Sequence, residues 1–232
     1  MTALQGLVFD KDGTLFDFDA TWGAWAAATI AAEAGDDPVL RDRLDAGLGF
    51  DRARTRFRRD SIVIAEPTRV VAERVLTLTG QSDLGALMAR MAAAASVAPQ
   101  VPVTPLAPLL ARLARRGLTL GLVTNDTEAP ARAHLSREGI AARFAFVAGS
   151  DSGHGAKPDP APLRAFCRAT GLAPGACAMV GDSAHDLKAG RAAGMIAVGV
   201  LTGPATRADL SPLADVVLGS IAELPDWLDG TA

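Results

Sequence analysis

Cysteine is nearly missing from this chain. Cys167 and Cys177 are the 2 present in 232 residues, which leaves no disulfide framework and points to a reducing compartment. Aromatic residues make up only 5% against 49% hydrophobic residues, with alanine foremost, so a helix-rich globular protein is expected rather than a disordered one. An excess of positive charge is lacking too. A net charge of −3 and a pI near 5.6 supply no basic field, which argues against a nucleic-acid partner. No apolar run is long enough to span a bilayer, and no charged segment followed by an apolar one opens the sequence. A cytoplasmic protein without a membrane partner is therefore expected.

What is present is a change of pattern along the chain. From Pro105 onward, helical and strand patterns alternate, the signature of βαβ units and a parallel sheet. The predicted helices are Pro105 to Arg116, Ala129 to Glu138, Ala161 to Thr170 and Asp186 to Ala193. The strands are Leu118 to Thr124, Phe144 to Ala148, Ala178 to Gly181, Ile196 to Leu201 and Asp215 to Leu218. With Gly6 to Asp10 they give an α/β, doubly wound parallel sheet of about six strands. Residues 16–99 do not alternate. They hold helical patterns over Thr21 to Ala34, Val39 to Leu48, Thr68 to Leu78 and Leu84 to Ala95, with Ser61 to Ile64 ambiguous. A helical insertion over 16–99 is expected, with 1–15 and 100–232 forming the sheet domain.

In an open parallel sheet, ligands sit beyond the carboxyl ends of the strands. Here the first strand ends in Asp10-Lys11-Asp12-Gly13-Thr14, the second in Thr124-Asn125-Asp126. The third leads to a loop carrying Lys157, and the fourth ends in Gly181-Asp182-Ser183-Ala184-His185-Asp186. Alone, an Asp-x-Asp-Gly is equally an Asp-rich turn with glycine at positive φ. Yet Asp-x-Asp-Gly-Thr is expected by chance only about 0.003 times in a chain of this length, and the other strand ends supply complementary chemistry. Phosphoryl transfer to a carboxylate requires a cation between two anions, and Mg²⁺ with oxygen ligands suits Asp10 and Asp182. Lys157 adds a point charge for phosphoryl oxygens, and Thr124 and Asn125 add neutral donors. One of the paired carboxylates attacks phosphorus while the other protonates the leaving alcohol and later activates water.

These residues resemble the haloacid dehalogenase-like (HAD) phosphohydrolase superfamily across the whole chain. Asp10 to Thr14 is similar to its first motif, Thr124 to its second, Lys157 to its third and Gly181 to Asp186 to its acidic fourth. The resemblance implies that Asp10 is nucleophile and metal ligand. It makes Asp12 the general acid/base, with its backbone carbonyl on the metal, Asp182 a Mg²⁺ ligand, and Asp186 a support for the metal waters or Lys157. It implies a C1-type cap over 16–99 and likeness to phosphoglycolate phosphatase-like members. The expected substrate is a small-molecule phosphate ester and the expected state a monomer or homodimer. A phosphomutase, a dehalogenase or a non-catalytic phosphate-binding module are the rival readings. The intact Asp12 and Asp182 argue against the dehalogenase.

Lys11 departs from the apolar residue usual between the two aspartates of capped members, and is expected to point away from phosphate and serve local electrostatics. Asp17 and Asp19 read as hinge or helix-start residues and Asp126 as a helix cap. His134 reads as helix surface, His154 as part of a loop near Lys157, and His185 as facing solvent or the outer surroundings of the site. Arg52, Arg54, Arg56, Arg58 and Arg59 form the one basic concentration. Read as helix, Arg54 and Arg58 share a face, either as solvated surface or as anion-binding groups reaching the substrate when the cap closes. Trp22 and Trp25 are expected in the cap core or as pocket wall.

Overall fold

The computed structural model describes residues 4–64 and 66–230. The expected outer limits at residues 1 and 232 lie outside the described residues. β1 (Gly6–Phe9) is followed by α1 (Phe18–Ala34), α2 (Pro38–Leu48), the short β2 (Phe50–Asp51) and β3 (Arg56–Phe57), then α3 (Thr68–Thr79) and α4 (Leu84–Val97). The chain continues through α5 (Leu106–Arg115), β4 (Thr119–Val123), α6 (Glu128–Arg137), β5 (Phe146–Ala148) and α7 (Ala161–Thr170). It closes with β6 (Cys177–Gly181), α8 (Ala184–Ala193), β7 (Ile196–Val200), α9 (Arg207–Leu210), β8 (Val216–Leu218) and α10 (Leu224–Gly230).

The six long-range strands pair in parallel in the order β5-β4-β1-β6-β7-β8. The chain runs outward from β1 to one edge, crosses back to β6, and runs to the other edge. This is the doubly wound order, and it opens a crevice beyond the ends of β1, β4 and β6. Helices cover both faces, so the strands are buried on both sides. The period of two shows in their side chains. Leu7 and Phe9 of β1, with Ala178 and Val180 of β6, enter the core under α5 and α6. Val8, Cys177 and Met179 enter the core under α7 and α8. On α5, Leu106, Leu109, Leu110 and Leu113 recur at helical spacing and are all buried.

Helices α1, α2, α3 and α4 have a core of their own, in which Trp22, Trp25, Ile30, Leu44, Val71, Val75, Leu87 and Met91 are all buried. Asp17, Asp37 and Asp83 cap α1, α2 and α4 by accepting backbone N–H bonds. The two connections to the sheet run side by side: the Asp17 N–H donates to Val101 O at 2.8 Å and the Val103 N–H to Leu15 O at 3.0 Å.

The structure corrects the helical reading of the arginine-rich stretch. Phe50 pairs with Phe57 and Asp51 with Arg56 in a two-stranded hairpin. The Asp51 carboxylate accepts from the Arg54 N–H at 3.2 Å, a local bond that competes with helix, and Thr55 turns the chain at φ 53°. Phe57 then packs edge-on against Phe18 at 5.6 Å, so burial of the aromatic pair outweighs helical propensity. Ser61 to Ile64 is a turn, held by the Ser61 hydroxyl donating to Leu48 O at 2.6 Å. None of the helices among the described residues is long and apolar enough to cross a membrane.

Candidate active site

β1 delivers Asp10 to the crevice because the strand pairing continues one residue past its end, the Asp10 N–H donating to Val180 O at 2.9 Å. Lys157 reaches it from the loop after β5. Its ammonium donates to Asp10 Oδ1 at 2.6 Å and to Val123 O at 2.8 Å, and lies 2.6 Å from Asp186 Oδ1. Asn125 fixes the lysine through its backbone, accepting from the Lys157 N–H at 2.9 Å and donating to its carbonyl at 2.8 Å. Asp186 is held by a capping box at the start of α8, accepting from the Ser183 N–H and hydroxyl at 3.0 and 2.6 Å. Thr14 donates to Asp182 Oδ1 at 3.3 Å. Gly13 at φ 78° and Gly203 both lie so close to the Asp182 carboxylate that a Cβ on either would collide with it.

Burial raises the Asp10 carboxyl to about 7; Lys157 opposes this while Asp186 and Asp12 add to it. Burial, then Asp186 and Asp10, push Asp182 well above the usual carboxylate range. For Lys157 burial acts downward, but Asp10 and Asp186 outweigh it and hold the ammonium protonated. Asp10, Asp182 and Asp186 each offer an oxygen, all within 4.8 Å of one another. Three buried carboxylates around one ammonium leave negative charge uncompensated. A hard divalent cation with oxygen ligands fits that donor set.

Asp12 faces the same crevice, with its carboxylate held from behind by Lys11, 2.8 Å away. The Lys11 side chain is fully buried; it lies 3.3 Å from Asp126, 3.1 Å from His134 Nδ1, and 5.0 Å from the centre of the Trp22 ring. Burial acts to lower Lys11, and Asp12 and Asp126 outweigh it, so the lysine stays charged above its ordinary range. Asp126 is thus no helix cap. The first amide of α6, at Glu128, is taken instead by Asp151 at 2.8 Å. Nor is His134 on the surface: it has no exposed area, and burial, then Lys11, push it down to about 4. Sequence reasoning missed this network, although Pro130, Ala131, His134 and Leu135 share the buried face of α6 and their helical spacing marks it.

The crevice opens into a cleft of about 650 Å³, its mouth included, walled by the sheet loops on one side and by α1, α3, α4 and the turn before α3 on the other. Asp10, Asp12, Thr124, Asn125, Lys157 and Asp186 line it, and Trp22 and Trp25 belong both to the helical core and to its wall. Asp182 is buried just beneath, 3% exposed. His185 is half-buried at the cleft. Arg54 and Arg58 are not brought to it. Both are exposed on the hairpin, paired with Asp51 at 2.7 Å and Asp60 at 3.4 Å.

A doubly wound parallel sheet gathers paired aspartates, a buried lysine and two further carboxylates at its switch point, a carboxylate-and-lysine centre of the hydrolase class. The chain belongs to the haloacid dehalogenase-like hydrolase family, whose model matches residues 4–194. It is 41% identical to a phosphoglycolate phosphatase of Rhodospirillum rubrum over 113 residues, 49% of this chain and 47% of that one. The chain thus spans about half the length of the first curated relatives it matches. It is 31% identical to a phosphoglycolate phosphatase of Escherichia coli K12 over 237 residues, 95% of this chain and 91% of the relative. In fold it is similar to a predicted phosphoglycolate phosphatase of Haemophilus somnus 129pt, with a TM-score of 0.74, 20% identity, and coverage of 98% and 99%.

Proposed function

We propose that this protein is a Mg²⁺-dependent phosphatase that hydrolyses a small phosphate monoester through a phospho-Asp10 intermediate. In this reading 1–15 and 100–232 form the catalytic domain and 16–99 the C1-type cap. The observation that carries it is the Asp10 carboxylate, 2.6 Å from the Lys157 ammonium and open to the cleft. The metal would be held by Asp10, Asp182 and Asp186 with the Asp12 carbonyl, and would neutralise charge between nucleophile and phosphoryl group.

Lys157, Thr124 and Asn125 orient the phosphoryl oxygens, the lysine by charge and the others by hydrogen bonds. An Asp10 oxygen attacks phosphorus, the ester P–O bond breaks, and Asp12 gives its proton to the leaving alcohol. Asp12 then takes a proton from water, which attacks phosphorus and breaks the bond to Asp10, releasing inorganic phosphate. Phosphate release from p-nitrophenyl phosphate with Mg²⁺ tests the scheme. Asp10→Asn is expected to abolish it, with a loss of at least about 10³-fold in kcat; turnover at the wild-type rate would end the proposal. Incubation with a hexose 1-phosphate separates hydrolysis from mutase chemistry, because a mutase yields the isomer with little free phosphate.

A further inference from the structure

Resting on the phosphatase reading, we infer that the leaving group of the substrate carries an apolar face and no negative charge, rather than being an acid. The phosphoryl group is accounted for by the sheet side of the cleft, where Lys157 is the cation. The remaining volume belongs to the helical side, and its wall is made of Trp22, Trp25, Ile64, Val71 and Met91, with Glu66 as its charged group. The Trp25 Nε1–H donates to Met91 O at 3.2 Å, which leaves its ring edge and face as apolar surface. Trp22 and Trp25 meet edge to face at 5.1 Å and form one continuous aromatic surface.

A carboxylate on the leaving group requires a second cation, and among the described residues the cleft lining offers none on this side. Lys11 is fully buried and engaged by Asp12 and Asp126. Of the arginines at 52–59, Arg52, Arg54, Arg56 and Arg58 pair with Asp45, Asp51, Asp19 and Asp60, and none of the five lines the cleft. Glu66 is half-buried and has no ion-pair partner among the described residues, so it repels an anion there. Apolar area buried against the tryptophans is the available source of binding energy.

The test compares kcat/KM of the full chain with Mg²⁺ on benzyl phosphate and on 2-phosphoglycolate, both esters of primary alcohols. Benzyl phosphate is expected to be favoured at least about tenfold. Glu66→Lys, which alters the wall without opening the helical core, is expected to shrink that preference by about tenfold by supplying the missing cation. Ile64→Ser is expected to lower the benzyl rate more than the phosphoglycolate rate. Wild-type preference for 2-phosphoglycolate, or a ratio unmoved by Glu66→Lys, overturns the inference while leaving the phosphatase reading intact. Release of phosphate from neither ester, with Asp10→Asn indistinguishable from wild type, overturns both.

Discussion

Lys11 and His134 meet ring nitrogen to ammonium at 3.1 Å, and the same imidazole places Nε2 2.7 Å from the carbonyl of Ala95 on α4. A carbonyl only accepts, so Nε2 carries the hydrogen and Nδ1 accepts from Lys11. One neutral histidine therefore joins the loop holding Asp10 and Asp12 to the last turn of the helix that walls the cleft. Arg137, one turn along α6, adds bonds to Ala98 O and Ser96 O.

Lys11 is the sole cation among the described residues paired with both Asp12 and Asp126. Removing it strands Asp126, which is 8% exposed, in a low-dielectric site. Lys11→Met is expected to lower unfolding free energy by about 3 kcal/mol, and Lys11→Met with Asp126→Asn to recover a large part of it. Urea denaturation of the double-mutant cycle checks this, and additive losses would contradict the pairing.

Burial and Lys11 bring the His134 pKa down to about 4, below the ordinary histidine value of 6.5, so the unfolded chain binds more protons between these values. This group's contribution is complete above about pH 6.5 and is lost as pH falls toward 4. The whole effect is about 3 kcal/mol. Urea midpoints for wild type and His134→Asn at pH 7 and pH 4.5 are expected to converge at the lower pH. A constant gap would show that the imidazole does not titrate between the two values.

The uncompensated charge at Asp10, Asp182 and Asp186 is expected to make Mg²⁺ a stabilising ligand. At 100-fold over Kd, the gain is about 2.7 kcal/mol, or roughly 5–10 °C in Tm for a chain of this size. Asp182→Asn is expected to lose that shift. Gly203→Ala is expected to lose it as well, because the new Cβ displaces the Asp182 carboxylate. Differential scanning fluorimetry with and without Mg²⁺ reads both variants; an undiminished shift in either would refute the assignment of Asp182.

Arg54 and Arg58 stand in solvent, paired with Asp51 and Asp60, and Arg58 also donates to Ala46 O at 3.1 Å. Exposed pairs of this kind contribute little. Arg54→Ala and Arg58→Ala are expected to leave Tm and kcat/KM at wild-type values. A fall in kcat/KM confined to anionic esters would show that the hairpin reaches the substrate.

The residues that meet at the cleft were legible at the strand ends, because an apolar run that stops at Asp10, or at Asp182, reports its own termination through local composition. The six parallel strands were legible for the same reason, their buried runs and intervening helices being short-range patterns. Residues 50–57 were not. Five arginines within eight positions can be read as helix surface, and only the packing of Phe50 on Phe57 and of Phe57 on Phe18 makes the stretch a hairpin. Helical spacing marks the buried face that carries His134, but neither it nor the position of Asp126 before α6 reveals the partner they share, because Lys11 is 123 and 115 residues away.

The sequence by itself determined that carboxylates, a lysine and hydrogen-bonding groups end four strands, and that a helical block interrupts the sheet after the first. Only the tertiary structure decided which of these meet. With β1 between β4 and β6, the loops after all three converge, and Asp10 comes to share one ammonium with Asp186. The fold of the block over that point decided that tryptophans and Glu66 line the cleft while the arginines face water. Periodicity records which side of an element is buried, but not which other element buries it.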